Sequence, residues 1–257
     1  MTSALVLAGT RPGGDPFADE LGVAHKSLIK LGGRTILHRV VESLRAAGLD
    51  RILVSCDEGP VAEATRAMGA DVIAASDGPS ASVAAAFDAA GAPMVVTTSD
   101  HALLRPEWVR ELMQQTPANA DLSVMLAERD AVEKAMPGSR RTYLRFADGH
   151  WSGCNLFYLK TQSARKALEM WSTVEANRKR PWRIAAQLGP MTLVSMALGR
   201  LTLAQGLEKL GRRIGIDAAL VSASNGLAAV DIDKPADLEA VRAHSLNDRE
   251  KASSPQV

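Results

Sequence analysis

Apolar residues in the first half of the chain fall into short unbroken runs, each followed by a stretch in which they recur every three or four positions. The runs at 4–7, 51–55, 70–74, 94–98 and 122–126 read as strands covered on both faces. Between them, 36–47 places Ile36, Val40, Val41 and Leu44 on one helical face, and 59–68 and 80–89 carry the same spacing. Gly48 and Gly69 stand where helix C-caps belong. Strand and helix in alternation predict an α/β fold, a doubly wound, mostly parallel sheet with right-handed crossovers. The second half differs. Strands are expected at 142–146 and 155–159, flanking the turn Asp148-Gly149, and a basic, largely helical stretch fills 162–215. Ala164, Ala167, Leu168, Trp171 and Val174 share one face of its first helix, and Leu198, Leu201, Leu207, Leu210 and Ile214 read as core. A strand at 218–222 and a helix at 235–244 complete a single domain spanning 1–244, and the polar residues 245–257 are expected to be disordered.

Composition narrows the class. With 257 residues, 46% hydrophobic and 23% charged, the chain is neither disordered nor fibrous. No apolar run approaches the roughly 18 residues of a membrane span. The first residues lack the basic flank of a secretory signal, which predicts a cytoplasmic protein. Cys56 and Cys154 form no CxxC pair, so neither a disulfide framework nor a thiolate zinc site is indicated. A net charge of +1 argues against a general nucleic-acid binder. The charge is uneven, however. Residues 160–215 hold eleven Lys or Arg against three acids, a surplus of eight that leaves the rest of the chain at −7. That asymmetry predicts an anionic partner on one lobe.

Four segments carry candidate chemistry. Leu7-Ala8-Gly9-Thr10-Arg11-Pro12-Gly13-Gly14 follows the first strand and leads on to His25-Lys26-Ser27-Leu28. Glycines there let backbone N–H groups approach phosphate oxygens, and a lysine adds a point charge. The pattern is neither a P-loop nor a dinucleotide fingerprint, and on composition alone a flexible Gly/Pro turn with a surface lysine is the commoner reading. Asp100, directly after the strand at 94–98, stands at the carboxyl edge of the sheet, where α/β folds bind ligands. Its oxygens suit magnesium, and a helix N-cap is its alternative reading. In Val230-Asp231-Ile232-Asp233-Lys234-Pro235, two acids two apart on extended backbone point the same way and could complete a metal site with Asp100. Asp233 and Pro235 also make a simple helix start. Ser76-Asp77-Gly78-Pro79-Ser80-Ala81-Ser82 opens a helix and offers hydroxyls and N–H groups to a base or ribose, or serves only as a capping box.

Taken in order, these segments resemble the nucleotidyltransferases of the GT-A-like fold, particularly the molybdenum-cofactor guanylyl- and cytidylyltransferase type, which is MobA-like. The strand running into Leu7-Ala8-Gly9, the segment Lys26-Ser27-Leu28-Ile29-Lys30-Leu31-Gly32-Gly33, the strand-end acid Asp100 and the stretch from Asp231 to Leu238 carry the resemblance. It implies transfer of a nucleoside monophosphate from an NTP to a phosphorylated small-molecule or lipid-linked acceptor, with release of pyrophosphate. By that resemblance Arg11, Lys26 and Asp100 are catalytic. Leu7, Ala8, Gly9, Thr10, Gly13, Gly14, Gly78 and Ser82 bind the nucleotide. Asp100 and Asp231, with Asp233 second, hold Mg2+. Ser82-Val83 resembles the serine near the base in related cytidylyltransferases and favours CTP. Residues 1–130 then form the nucleotide-binding half and 140–215 an acceptor-binding lobe.

The loop at Gly13–Glu20 is longer than the family's, and the basic region has no counterpart in the small cofactor enzymes. It is read as the acceptor site, with Asn155, Arg178, Lys179, Arg180 and Arg183 as contacts. The run at 178–183, with Trp182, also suits a lipid headgroup at a membrane surface, or a solvated charge run. Two other functions share parts of the pattern. A glycosyltransferase using a nucleotide sugar would need a D-x-D at the strand end, where Ser99-Asp100-His101 supplies one acid. A degenerate nucleotide-binding protein would account for the altered loop.

Overall fold

The computed structural model describes residues 1–10, 13–139, 141–176, 195 and 198–253. In chain order the elements are β1 (Ser3–Leu7), α1 (Pro16–Glu20), a hairpin of β2 (Lys30–Leu31) and β3 (Arg34–Thr35), α2 (Ile36–Ala46), β4 (Arg51–Cys56) and α3 (Pro60–Ala67). There follow β5 (Asp71–Ala74), α4 (Pro79–Ala90), β6 (Met94–Thr98), α5 (Pro106–Gln115), β7 (Leu122–Glu128) and α6 (Arg129–Ala135). The remainder comprises β8 (Leu144–Phe146), β9 (Gly149–Leu159), α7 (Arg165–Ala176), α8 (Leu203–Ile214), β10 (Ala218–Ser222) and α9 (Pro235–Ser253). Proline opens α1, α3, α4 and α5 in the first turn, where its missing N–H costs no helical hydrogen bond and its fixed φ is already helical.

The strands join in the order β5-β4-β1-β6-β9-β7-β10, with β8 added to β9. β1 lies parallel to β4 and β6, β4 to β5, and β7 to β10, while β9 runs antiparallel between β6 and β7. The expected mostly parallel α/β sheet is therefore what forms. Side chains alternate across it with the two-residue period of a strand. Ala4 and Val6 of β1, Ile52 and Val54 of β4 and Val95 of β6 enter the core under α2 and α5. Leu5, Leu53, Met94 and Val96 enter a second core that includes Val83, Phe87 and Leu168 of α4 and α7. Trp151, Leu126 and Leu203 form a smaller cluster beneath α8. The order of strand addition reverses between β1 and β6: the chain moves outward from β1 through β4 and β5, then returns to β6 on the other side. The carboxyl ends of these two strands border the crevice that such a switch creates.

Several sequence expectations change in detail. β9 begins at Gly149 rather than at 155, because its polar first half pairs with β7 and β8 at the sheet's end. The last helix passes 244 and continues to Ser253, through residues expected to be disordered. In the apolar series, Leu201 is buried, Leu207, Leu210 and Ile214 are half-buried, and Leu198 is exposed. Both cysteines are buried free thiols. Among the described residues no helix is long and apolar enough to cross a membrane.

Candidate active site

The loop after β1 runs across the carboxyl ends of its neighbours. Ala8 donates its N–H to the Ser55 carbonyl (2.8 Å), Ser99 N–H reaches the Leu7 carbonyl (2.9 Å), and Thr10 N–H approaches Asp57 Oδ2 (3.4 Å). Gly9 lies so close to Ala75 that an added Cβ would stand 3.3 Å from the Ala75 methyl. Gly13 and Gly14 adopt φ of +97° and +82°, which a side chain would strain. The long stretch after them is α1, capped by the Asp15 carboxylate on Phe17 N–H (3.1 Å) and anchored by buried Phe17.

His25, which nothing in the sequence pattern singles out as functional, ties the next segment to this loop. Its Nδ1 accepts from Ser27 N–H (3.1 Å) and meets the Ser27 hydroxyl at 2.7 Å, and the ring bonds to the Gly9 backbone. Burial, then the neighbouring Lys26 charge, lowers its pKa and keeps the ring neutral. Lys26 is thereby aimed at the acids. Its Nζ stands 2.5 Å from Asp100 Oδ2 and 2.7 Å from Asp233 Oδ1. Burial acts to lower the ammonium, but Asp100 and Asp233 outweigh it and raise its pKa above the ordinary lysine value.

Asp100 and the 231–233 segment are joined through backbone, since Ile232 donates its N–H to the Asp100 carbonyl (3.1 Å). Burial alone would push the Asp100 carboxyl up. The Lys26 ammonium and the Thr98 hydroxyl, 2.5 Å from Oδ1, reverse this and hold it below the usual carboxylate range. Asp231 goes the other way. Burial raises it, Arg141 pairs with Oδ1 and partly offsets the rise, and the charges of Asp100 and Asp233 add to it. Asn155 completes this corner by donating its amide to Asp231 Oδ2 (2.8 Å). It can do so because β9 bulges there: Leu156 faces Met125 and Gly153 faces Leu126, leaving Cys154 and Asn155 without partners, and Asn155 takes φ +49°. Asn155, expected at the acceptor site, thus stands beside Asp231. Asp233 is half-exposed; it donates its N–H to Asp237 Oδ2 (3.2 Å) in the first turn of α9, while its own carboxylate accepts from Lys26.

Gly78 and Ser82 open α4 as expected. The Ser82 hydroxyl accepts from Ser76 N–H (3.0 Å), and Ser80 gives its hydroxyl (2.5 Å) and N–H (3.3 Å) to Glu175 of α7. That carboxylate fills the space a Cβ on Gly78 would need, 2.5 Å away. The fold therefore gathers Leu7–Thr10, Lys26, Asp100, Asp231 and Asp233 at one sheet edge. It adds His25, Arg141 and Glu175, which the sequence left in unremarkable polar surroundings. Arg11, Arg178, Lys179, Arg180 and Arg183 lie outside the described residues.

Asp100 and Asp231 offer hard, buried oxygens on adjoining backbone, and these fit a divalent cation that takes the rest of its shell from phosphate and water. Asp100, Asp231 and Asp233 do not form a ready-made cage: among the described residues no group of three or more acids, His or Cys could hold a metal by itself. The arrangement joins an ammonium, a backbone loop and two such carboxylates, the components of a polyphosphate site.

Comparison with known proteins agrees with this geometry. A family model for the MobA-like NTP transferase domain matches residues 4–190. A hypothetical transferase from Thermus thermophilus is 28% identical, with 93% of this chain and 100% of that one covered and a TM-score of 0.79. A nucleotidyl transferase from Methanothermobacter shares the fold at 22% identity, covering 96% and 99% of the two chains with a TM-score of 0.58. So does 2-C-methyl-D-erythritol 4-phosphate cytidylyltransferase from Thermus thermophilus, at 17% identity, 95% and 98% coverage and a TM-score of 0.53.

Proposed function

This chain belongs to the MobA-like NTP transferase domain family and is a nucleotidyltransferase, and from that premise we propose that it moves a nucleoside monophosphate, from CTP by preference, onto a phosphorylated small-molecule or lipid-linked acceptor. An acceptor oxygen attacks the α-phosphorus, the bond to the bridging oxygen breaks, and pyrophosphate departs with the electron pair. No side-chain nucleophile is needed. The observation that carries this reading is the Lys26 ammonium held between Asp100 and Asp233 at the carboxyl edge of β1 and β6.

The roles follow from the contacts. The backbone of Leu7–Thr10 and Gly13–Gly14 cradles the triphosphate, and Lys26 turns from the acids to the phosphates to offset the charge that develops on the leaving group. Asp100 and Asp231 would hold the magnesium ion, which when bound neutralises phosphate charge and orients the α-phosphate. Arg141 and Asn155 position Asp231 for this, and His25 positions Lys26. Gly78 and Ser82 receive the base, the Ser82-Val83 pair being the feature that favours cytosine. The surplus of positive charge over 160–215 supports an acceptor that carries phosphate, with 140–215 as its lobe. The single acid at Ser99-Asp100-His101 weighs against a nucleotide-sugar glycosyltransferase.

Pyrophosphate release with each NTP, magnesium and a panel of phosphorylated acceptors tests this directly. Asp100→Ala and Lys26→Ala are each expected to lower kcat/KM by about a hundredfold or more, the loss of a transition-state charge contact worth roughly 3 kcal/mol, with circular dichroism reporting separately on the stability that Lys26→Ala gives up by leaving Asp100 and Asp233 unbridged. Turnover unaffected by Asp100→Ala would remove that residue from the site, and equal kcat/KM for CTP and UTP would remove the base preference.

A further inference from the structure

α7 lies antiparallel along α4, and the contacts between them fix where its far end falls. Arg165, at the start of α7, grips Asp88 near the end of α4 through Nε (2.8 Å) and Nη2 (3.0 Å). Leu168 enters the same core as Val83 and Phe87 of α4, and Trp171 packs on Phe157 with ring centroids 5.7 Å apart. Glu175, in the last turn of α7, thereby arrives at the first turn of α4.

α4 needs an acceptor there. Its N-cap is Gly78, which has no side chain, and Pro79 has no N–H, so Ser80 carries the first donor of the helix. Glu175 Oε2 takes both the Ser80 N–H (3.3 Å) and its hydroxyl (2.5 Å). Capping accounts for Oε2 alone. Oε1 stands 2.5 Å from the place of a Cβ on Gly78, and among the described residues it accepts no hydrogen bond. The bare backbone at Gly78 is what lets a carboxylate oxygen come so near.

We propose that Glu175 selects the base: Oε1 accepts from the exocyclic amino group of cytosine and rejects the carbonyl oxygen that uracil presents in its place. This rests on the reading that Gly78 and Ser82 receive the base, and it names the residue that enforces the preference there. The two pyrimidines differ at that edge by an amino donor against a carbonyl acceptor. A carboxylate oxygen only accepts, so it pairs with the first and opposes the second. Ser80 decides which oxygen does so. Its two donors occupy Oε2 and leave Oε1 for the base, which suits cytosine's single amino group better than the two adjacent donors of guanine. Because α4 and α7 already hold the carboxylate in position, little freedom is lost when the nucleotide arrives.

Calorimetric titration of the full chain with CTP and with UTP, each with magnesium, tests this. Wild type is expected to bind CTP about tenfold or more tightly than UTP, the discrimination that a base-edge contact provides. In Glu175→Gln the side-chain oxygen stays on Ser80, whose two donors demand an acceptor, and the amide NH2 replaces Oε1. That group donates to uracil and cannot accept from cytosine, so the CTP-to-UTP preference should fall by about tenfold or more, to parity or below. Melting curves read the cap separately, since a weakened cap destabilises the fold without regard to the base. Glu175→Ala is the second variant, expected to weaken CTP binding and spare UTP. A preference unchanged in Glu175→Gln would overturn the role of Glu175 while the choice of CTP stands. Equal gains for both nucleotides in Glu175→Ala would overturn it as well, marking the carboxylate as an occupant that any base displaces. Wild type binding CTP and UTP alike would remove the underlying reading and this assignment together.

Discussion

His101 shows how much one buried side chain contributes to the balance around the site. It is 1% exposed, stacks on Trp108 with ring centroids 6.1 Å apart, and has no hydrogen-bond partner at either nitrogen, although the Ala228 backbone stands near enough to favour the charged ring slightly. Burial lowers its pKa to about 4, with Asp100 opposing and Arg141 assisting. In the unfolded chain the ring titrates near 6.5, so between that pH and about 4 the unfolded state takes up a proton that the folded state refuses. Stability must therefore fall as pH drops through this window, by roughly 3 kcal/mol in all, with His25 acting in the same direction. Chemical denaturation from pH 7 to 4 measures it, and His101→Phe should flatten the slope; an unchanged slope would show that His101 is not its source. The site's residues were unequally legible. Lys26 and Asp100 stand beside recognisable strands and turns. Arg141 sits in a polar stretch with no periodicity, and the position of Asn155 depends on a bulge set by register with β7, which no local pattern encodes.

At the level of elements, the short helical turn at Gly226–Ala229 wedges the 230–233 segment into place. A Cβ on Gly226 would come within 2.2 Å of the Ala131 carbonyl oxygen, which belongs to α6. Helix backbone cannot give way as a flexible side chain does, so Gly226→Ala should destabilise by about 2–3 kcal/mol. Gly153→Ala, with nothing within 4 Å of the new methyl, is the control. Urea midpoints compare the two, and equal midpoints would show that α6 and the turn move apart freely. The strands of the parallel core were legible because both faces are apolar and glycines follow the helices between them. The β2–β3 hairpin, α1 and α6 were not. Each is short, and each is held by contacts distant in sequence, such as Phe17 in the core and Val132 against the sheet, rather than by its own pattern.

Across the whole molecule, the fold draws together chain segments as far apart as Lys26 and Asp233, and the alternating strand and helix pattern forecasts the sheet edge on which they meet. The family motifs forecast which acids stand there but not that each would come with a cationic partner, Lys26 for Asp100 and Asp233, and Arg141 for Asp231. Close acids repel unless something positive lies between them. Here the polypeptide provides it. A chelator should therefore leave the melting temperature of the nucleotide-free protein within about 1 °C of its starting value, while abolishing the rise that the proposed function predicts for NTP with magnesium by mass action. A large drop on chelation alone would contradict this. On the proposed magnesium dependence, maturation and loading would be separate events: the newly made chain would complete its architecture without waiting for an ion, and scarcity of magnesium would leave the enzyme idle but intact.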